Sequence, residues 1–336
     1  MKNTDTAMQG KLSRRALVRA APALGLLGIA PGAWAQGAYP NRALRVIVPQ
    51  PPGGGFDFVA RLLAERLGKA LGQSVVVENK TGSGTLVGTE AAAQAAPDGY
   101  TLLMGSVSNI ALNMGLYSKL SYDSLRDFEP VGLAVSYSYT LVARKDLALN
   151  SLQDVVAYAK ANPGRLSYAS SGIGSTYHLG AELFRSQTGI EWTHVPYKGA
   201  APAIQDVLAG HVQVMFDNTS SAIPNIKAGR VRALGVASLR RYPNLPELPT
   251  IAEQGLPGYE TTIWLALFVP AKTPAASIEN LHRAVQEAVD SAEYKERMTA
   301  LDMQPRVSSS QELADYLKSD LAKWAKVVKD AGIKAE

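Results

Sequence analysis

The stretch Pro51-Pro52-Gly53-Gly54-Gly55-Phe56-Asp57 joins an apolar segment typical of a strand, residues 44–48, to an amphipathic segment typical of a helix. In the second segment Val59, Leu63 and Leu67 recur at helical spacing. A glycine-rich loop at the start of a helix leaves backbone N–H groups free, and these groups attract anions together with the positive end of the helix dipole. The stretch therefore predicts an α/β fold with an anion site beside its first helix.

A second loop of the same kind lies in the other half of the chain, at Ser170-Ser171-Gly172-Ile173-Gly174-Ser175-Thr176-Tyr177-His178. It also follows a predicted strand and opens a predicted helix. Two such loops in separate halves indicate a receptor with two lobes that closes on a small anion, either a carboxylate or a phosphate. Each loop taken alone has a simpler explanation, because glycines also permit a tight turn between a strand and a helix.

The first 35 residues are predicted to be an export signal. They contain a basic stretch, a weakly apolar run at residues 20–30, and the small-x-small end Ala33-Trp34-Ala35. Ser13-Arg14-Arg15 resembles the twin-arginine signal, and the general secretory route is the alternative. Cleavage after Ala35 would place the mature chain in the periplasm, starting at Gln36. The apolar run is shorter than the roughly 20 residues that span a bilayer.

Composition argues against several other kinds of partner and site. Of the formal net charge of +5, the leader contributes five basic residues and one acid, which leaves about +1 for the mature chain. This low charge, without a cluster of basic and aromatic residues, argues against nucleic acid as a partner. The chain has no cysteine, which excludes disulfides and thiolate chemistry. Its four histidines form no HExxH motif, and without cysteine the common zinc spacings are absent, so we expect no metal site.

Strand-like and helix-like segments alternate in two cycles. The predicted strands are residues 44–48, 74–78 and 100–104 in the first cycle, and 166–169, 192–195, 212–216 and 231–237 in the second. This alternation predicts parallel sheets covered by helices, with ligand sites at the carboxyl ends of the strands. A strand at residues 263–269 and the helices after it are expected to return to the first lobe. The predicted lobes are residues 37–137 with 238–336, and residues 138–237, with a hinge of two crossings.

Several segments, read in order, resemble the solute receptors of tripartite tricarboxylate transporters, the TctC or Bug family. They are Pro52-Gly53-Gly54-Gly55-Phe56-Asp57-Phe58-Val59-Ala60-Arg61, Glu78-Asn79-Lys80-Thr81-Gly82-Ser83-Gly84, Ala96-Pro97-Asp98-Gly99-Tyr100-Thr101-Leu102-Leu103, Gly174-Ser175-Thr176-Tyr177-His178-Leu179 and Val195-Pro196-Tyr197-Lys198-Gly199-Ala200-Ala201-Pro202. The resemblance implies a type II periplasmic binding protein fold, in which a two-crossing hinge joins two doubly wound α/β lobes. It also implies no catalysis, no cofactor, and a carboxylate-bearing ligand held between two loops, partly through ordered water.

Two departures from the family pattern bear on the ligand. The family usually has Arg-Pro-Gly-Ala-Gly-Gly where this chain has residues 80–85, and often has Thr-Pro-Ser where this chain has Thr176-Tyr177. A large ring therefore stands beside the second loop. The ligand is expected to differ from the family's common dicarboxylates, with aromatic acids included among the candidates.

The predicted ligand-binding residues are the two loops together with polar residues at the ends of other strands. They are Gly53, Gly54, Gly55, Phe56, Asp57, Ser106, Ser108, Asn109, Ser170, Ser171, Gly174, Ser175, Thr176, Tyr177, His178, Tyr197 and Asp217. Asp57 is expected to order the first loop rather than to bind an anion. For Ser175, Thr176 and the polar residues after strands, helix capping is the alternative role, and for His178 it is a structural role.

The sequence thus predicts a monomeric receptor for a small mono- or dicarboxylate, working with a membrane transporter or a sensor. A periplasmic hydrolase or isomerase on the same scaffold is the main alternative, because a fold does not decide a function. Against it, the chain has no Gly-x-Ser-x-Gly elbow and no P-loop. A signalling adaptor is the third possibility.

Overall fold

The computed structural model describes residues 39–333, apart from residues 54, 83 and 84. The predicted export signal and Gly54 lie outside the described residues. The strands, in chain order, are β1 (Leu44–Val48), β2 (Val75–Asn79), β3 (Thr101–Ser106), β4 (Phe128–Tyr137), β5 (Tyr139–Arg144), β6 (Ser167–Ser170), β7 (Thr193–Pro196), β8 (Val214–Asn218), β9 (Val231–Val236), β10 (Ile263–Pro270) and β11 (Gln304–Pro305).

The helices surround these strands. They are α1 (Gly55–Leu71), α2 (Leu86–Ala93), α3 (Asn113–Leu116), α4 (Leu152–Ala161), α5 (Thr176–Thr188), α6 (Ala200–Leu208), α7 (Thr219–Lys227), α8 (Ala275–Asp290), α9 (Ala292–Ala300) and α10 (Ser310–Ala331). A π-helical segment, Val107–Leu112, precedes α3. Among the described helices, none combines the length and hydrophobicity that a membrane crossing requires.

The strands form two sheets, which confirms the predicted α/β fold. The first has the order β11-β4-β10-β3-β1-β2, and the second has the order β7-β6-β8-β5-β9. β1 pairs in parallel with β2 and β3, and β6 pairs in parallel with β7 and β8, as the alternation predicts. β10 lies between β4 and β3, so the chain returns to the first sheet as expected.

The sheets are mixed, and this differs from the prediction of wholly parallel sheets. β10 is antiparallel to β3 and β4, and β5 is antiparallel to β8 and β9. The apolar stretch at residues 131–143 contains most of β4 and β5, which belong to different sheets and are separated by Ser138 alone. A strand that enters a sheet directly, without a crossover helix, is not constrained to run parallel to its neighbours.

Ser138 is held firmly where the chain crosses between the sheets. Its N–H donates to Tyr242 Oη at 2.6 Å, and its carbonyl accepts from Thr219 N at 3.1 Å and Thr219 Oγ1 at 2.8 Å. The return crossing lies between β9 and β10, where Val236 and Thr250 form an isolated bridge. The two crossings lie beside each other, because Ala237 N donates to Tyr139 O at 2.8 Å and Tyr242, which bonds Ser138, belongs to the return crossing.

Two features of the helices were not predicted. α4 begins with a capping box in which Ser151 and Asp154 exchange side-chain and backbone hydrogen bonds. The Ser-x-x-Asp spacing was a readable signal for this helix start. α2 ends at Ala93, whereas the alanine-rich sequence predicted a helix over residues 86–96.

Candidate functional site: a cleft between the two sheets

A cleft of about 710 Å³ is lined by residues from both glycine loops. Gly55 and Phe56 come from the first loop, and residues 171–177 come from the second. The other lining residues are Pro49, Gln50, Pro51, Thr81, Gly82, Thr85, Ser106, Ser108, Leu112, Asn113, Leu116, Tyr117, Tyr137, Tyr139, Asn218, Ile263 and Met303. None of the described residues that line the cleft is charged, so a ligand here meets neutral donors and apolar surface.

The side chain of Asp57 connects the first loop to α1 by hydrogen bonds. Asp57 is 4% exposed. Its Oδ2 accepts from Gly53 N and from Arg61 Nε, both at 2.9 Å. Its Oδ1 accepts from Asn79 Nδ2 at 3.0 Å. Mainly through the Arg61 hydrogen bond, the pKa of Asp57 falls to about 2. Asp57 thus orders the loop from behind, and it leaves Gly55 and Phe56 to line the cleft.

Replacing Asp57 with Asn is expected to lower the free energy of unfolding at pH 7 by about 1.5 kcal/mol, because the ionised side chain is favoured in the folded chain. This value is below the roughly 2.4 kcal/mol of the full shift, since solvent screens the half-exposed Arg61. With a lowered pKa, the stabilisation is complete above about pH 4 and disappears as pH falls towards 2. Urea unfolding at pH 7, 4 and 2.5 measures it.

The matched control is Asp315→Asn, because the exposed Asp315 carboxylate is 3.7 Å from Lys318 Nζ on the surface of α10. We expect that control to change the free energy of unfolding by less than about 0.5 kcal/mol at any of these pH values. Equal unfolding curves for Asp57→Asn and the unaltered protein at pH 7 would contradict the assigned role.

The second loop is shaped by the start of α5. Ser175 is the N-cap, and its Oγ accepts from His178 N at 3.3 Å and donates to Gly172 O at 2.7 Å. Gly174 has φ +74°, a left-handed conformation that favours glycine. The N–H groups of Thr176 and Tyr177 lie in the first helical turn, where no carbonyl of the helix can reach them. Thr176 and Tyr177 both line the cleft, where the Thr176 hydroxyl contacts that of Tyr139.

Ser106 and Ser108 follow β3 and line the cleft from the first sheet. Ser106 Oγ lies 2.7 Å from Ser108 Oγ, and Ser106 N donates to Asn109 Oδ1 at 2.8 Å. Asn109 is fully buried and donates to Thr89 Oγ1 at 3.1 Å. The structure thus places the two serines in the cleft and Asn109 behind them as part of a capping box.

Aromatic rings form much of the remaining wall. The rings of Tyr139 and Tyr177 have centroids 4.7 Å apart, and the Tyr139 hydroxyl contacts the hydroxyl of Thr176. Burial raises the pKa of Tyr137 and of Tyr177 well above the ordinary value. Both phenols therefore stay neutral, and they combine an apolar ring with a hydroxyl that can hydrogen-bond. Leu116, Ile263 and Met303 add apolar surface.

Several predicted site residues lie outside the lining of the cleft. Asp217 is fully buried at the end of β8, its Oδ1 accepts from Ser221 Oγ at 2.6 Å, and burial raises its pKa to about 6. Tyr197 Oη donates to Asp206 Oδ2 at 2.6 Å. Gly53 is exposed and donates to Asp57, whereas Ser170 and His178 are buried behind the second loop.

The structure also brings residues to the cleft that are not among the predicted ligand-binding residues, although the sequence had already related the loop at residues 80–85 to the ligand. Thr81 and Gly82 follow β2, at the same carboxyl edge as the first loop, so the rule that located the loops could have found them. Asn113 donates to Thr85 Oγ1 at 3.1 Å, and both residues line the cleft. Ile263 and Met303 come from segments distant in sequence. No described group of three or more His, Asp or Glu side chains is placed to hold a metal ion.

The two sheets with a shared neutral cleft define a two-lobed α/β binding protein. Residues 59–333 match the model of the tripartite tricarboxylate transporter family receptor, TctC. The chain belongs to this family. Its relatives include a protein encoded in the tcbD-tcbE intergenic region of a Pseudomonas species, 39% identical over 292 residues that cover 87% of each chain. Protein BugT of Bordetella pertussis is 37% identical over 297 residues, which cover 88% of this chain and 91% of BugT.

Solved structures of similar proteins share this fold. A Rhodopseudomonas palustris protein with adipate is 36% identical, with a TM-score of 0.75 over 88% of this chain and 99% of that chain. The Rhodopseudomonas palustris protein MatC with bound malate is 33% identical, with a TM-score of 0.72 over 86% of this chain and 100% of that chain. The periplasmic binding protein BugD is 36% identical, with a TM-score of 0.72 over 88% of this chain and 99% of that chain.

Proposed function

We propose that the protein is a periplasmic receptor that captures a small carboxylate in this cleft and delivers it to a membrane transporter of the tripartite tricarboxylate type. The observation that carries the proposal is the convergence of the starts of α1 and α5 on one uncharged cleft. Membership of the receptor family supports it. Two similar proteins have structures with adipate and with bound malate, which supports a carboxylate as ligand.

Neutral donors suit a receptor that must both bind and release an anion. Hydrogen bonds to a charged group contribute about 1.5–3 kcal/mol each, more than bonds between neutral groups. The N–H groups at the starts of α1 and α5 and the hydroxyls of Ser106, Ser108 and Thr176 supply such bonds without a paired arginine or lysine. The proposed ligand is a mono- or dicarboxylate whose body, aliphatic or aromatic, packs against Tyr137 and Tyr177.

The proposed lobes are residues 37–137 with 238–336, and residues 138–237, joined at the two crossings. The first sheet draws its strands from the first set and the second sheet from the second set, which supports this division. Residues 1–35 are the proposed export signal, cleaved after Ala35, and the mature protein is proposed to act as a monomer in the periplasm. We propose no catalytic step, in keeping with a family of receptors.

The test compares acids with their neutral amides. Native mass spectrometry of the freshly purified protein identifies any acid that co-purifies, and calorimetry then measures adipate, malate, benzoate and the matching amides. We expect at least one acid to bind about 100-fold more tightly than its amide, because the amide loses about 2.7 kcal/mol of charge-assisted hydrogen bonding.

Equal binding of acid and amide, or no binding of any acid, would overturn the proposal. Turnover of a bound acid would favour the hydrolase or isomerase. Capture of a signalling partner instead of transporter subunits, with the ligand present, would favour the sensor.

A further inference from the structure

Two histidines are stacked directly behind the second glycine loop. The rings of His178 and His194 have centroids 3.9 Å apart and an interplanar angle of 14°. The ring of Tyr168 continues the stack, 4.8 Å from His194 at 12°. His178 is 6% exposed, and neither histidine lines the cleft.

Each histidine holds the loop through one hydrogen bond. Gly174 N donates to His178 Nδ1 at 3.0 Å, so this nitrogen must carry a lone pair. His194 Nε2 lies 2.6 Å from Ser170 Oγ, which in turn accepts from Gly172 N at 3.1 Å. The two rings therefore fix the loop at both of its glycines, next to the free N–H groups of the first turn of α5.

We propose that His178 is a positioning residue, which holds the second glycine loop in its binding shape only while its ring is uncharged and stacked on His194, so that ligand affinity falls as pH falls. The proposal rests on the proposed function, because it concerns the same cleft. A proton on His178 Nδ1 would face the Gly174 N–H and displace it. Gly174 and Ser175 would then move, and the donors at Thr176 and Tyr177 would move with them.

The groups around the stack determine the direction of the effect. Burial lowers the pKa of His178, although the nearby carboxylate of Glu182 acts in the opposite sense. Burial and His178 together lower the pKa of His194 to about 4. Glu182 is itself paired with Arg185 at 2.6 Å and accepts from Tyr168 Oη at 2.8 Å. These partners compensate the negative charge of Glu182, so it stabilises a charged His178 only weakly.

The lowered pKa values decide that the ordered loop loses stability, rather than gains it, as pH falls. A histidine with a lowered pKa in the ordered loop takes up a proton more readily when the loop is disordered. The ordered loop is therefore fully stable above the ordinary histidine pKa of about 6.5 and loses stability as pH falls below it. Ligand affinity is expected to fall in the same range.

The experiment uses the mature protein with adipate as the probe, measured by calorimetry between pH 7.5 and 5.5. We expect the adipate affinity of the unaltered protein to fall about fivefold more over this range than that of His178→Asn, since one proton uptake changes affinity by up to tenfold per pH unit. Asn offers an amide oxygen close to the position of Nδ1 and does not titrate, so it should keep the affinity at pH 7.5 within about threefold. Protonation of adipate itself is common to both proteins.

Two further variants separate positioning from a purely structural role. His178→Phe keeps the stacked ring without an acceptor, and we expect it to bind adipate about tenfold more weakly than the unaltered protein at pH 7.5, with the weaker pH dependence of His178→Asn. His211→Asn is the matched control, because His211 is an exposed histidine that faces Asp206 at 3.4 Å. It should retain the pH dependence of the unaltered protein.

A readout without ligand keeps this inference separate from the proposed function. In NMR spectra of the free protein, the Gly174 amide and the His178 ring nitrogens are expected to titrate together, and the Gly174 titration should vanish in His178→Asn. If adipate fails to bind but these signals titrate together, the ligand assignment fails and the positioning role stands. A Gly174 amide that does not respond to pH, or identical pH dependence of adipate binding in His178→Asn, would overturn the inference.

Discussion

The Gly174→Val variant is expected to bind the ligand at least about 100-fold more weakly, a loss equivalent to about two charge-assisted hydrogen bonds. Gly174 has φ +74°, where a β-branched side chain is strongly disfavoured, and a Cβ here would lie 3.5 Å from Leu116 Cδ1 across the cleft. The backbone must rotate to relieve this strain. The N–H groups of Thr176 and Tyr177 would then no longer point at the ligand. Calorimetry with the acid identified by native mass spectrometry measures the loss.

The matched control is Gly189→Val, at the opposite end of the same helix. Gly189 has φ +66°, and nothing lies within 4 Å of a Cβ built there. The backbone strain of about 2 kcal/mol is therefore similar, and both variants should lose similar stability in urea. Only Gly174→Val should lose affinity. Equal affinities of the two variants would show that the second loop does not contact the ligand.

The second large effect is expected where α10 packs against β10 of the first sheet, and there Lys323→Met should lower the free energy of unfolding by about 3 kcal/mol. The Asp320 carboxylate is 1% exposed, accepts from Trp264 Nε1 at 2.8 Å, and pairs with Lys323 Nζ at 2.7 Å. Removing the ammonium group leaves a buried negative charge with one neutral donor. Urea unfolding at pH 7 measures the loss.

Two comparisons identify the buried charge as the cause. Lys326→Met is the matched control on the same helix, because Lys326 contacts Asp330 on the surface and is 74% exposed in its side chain. It should change stability by less than about 0.5 kcal/mol. The double variant Asp320→Asn with Lys323→Met keeps an acceptor for Trp264 and removes both charges, so it should recover most of the loss. If the double variant is as unstable as Lys323→Met alone, the loss comes from packing rather than from charge.

Local patterns were enough to predict the elements that carry the candidate site. Both glycine loops lie between strands and helices that the apolar spacing predicted. The residues on the buried face of a helix or strand recur at a fixed spacing, which can be recognised in the local sequence alone. The parallel pairing of β1 with β2 and β3 followed from the order of the elements. The order of the predicted elements along the chain also indicated that β10 returns to the first sheet.

Roles within the site were harder to predict than its location. Glycine, serine and threonine at a helix start serve equally as caps and as ligand donors, so residues such as Ser175 could not be assigned by type. The structure separates residues that line the cleft, such as Ser106 and Thr176, from those behind it, such as Asp57 and His178.

By itself, the sequence determined the α/β class, the two loops and the membership of the receptor family, because these depend on local periodicity and on motifs that are contiguous in the chain. Only the tertiary structure decided that Ile263 and Met303 line the cleft, that buried Asp320 lies between Lys323 and Trp264, and that His178 and His194 stack behind Gly174. These relations join residues from separate elements. Their geometry depends on how whole elements pack, which no local pattern encodes.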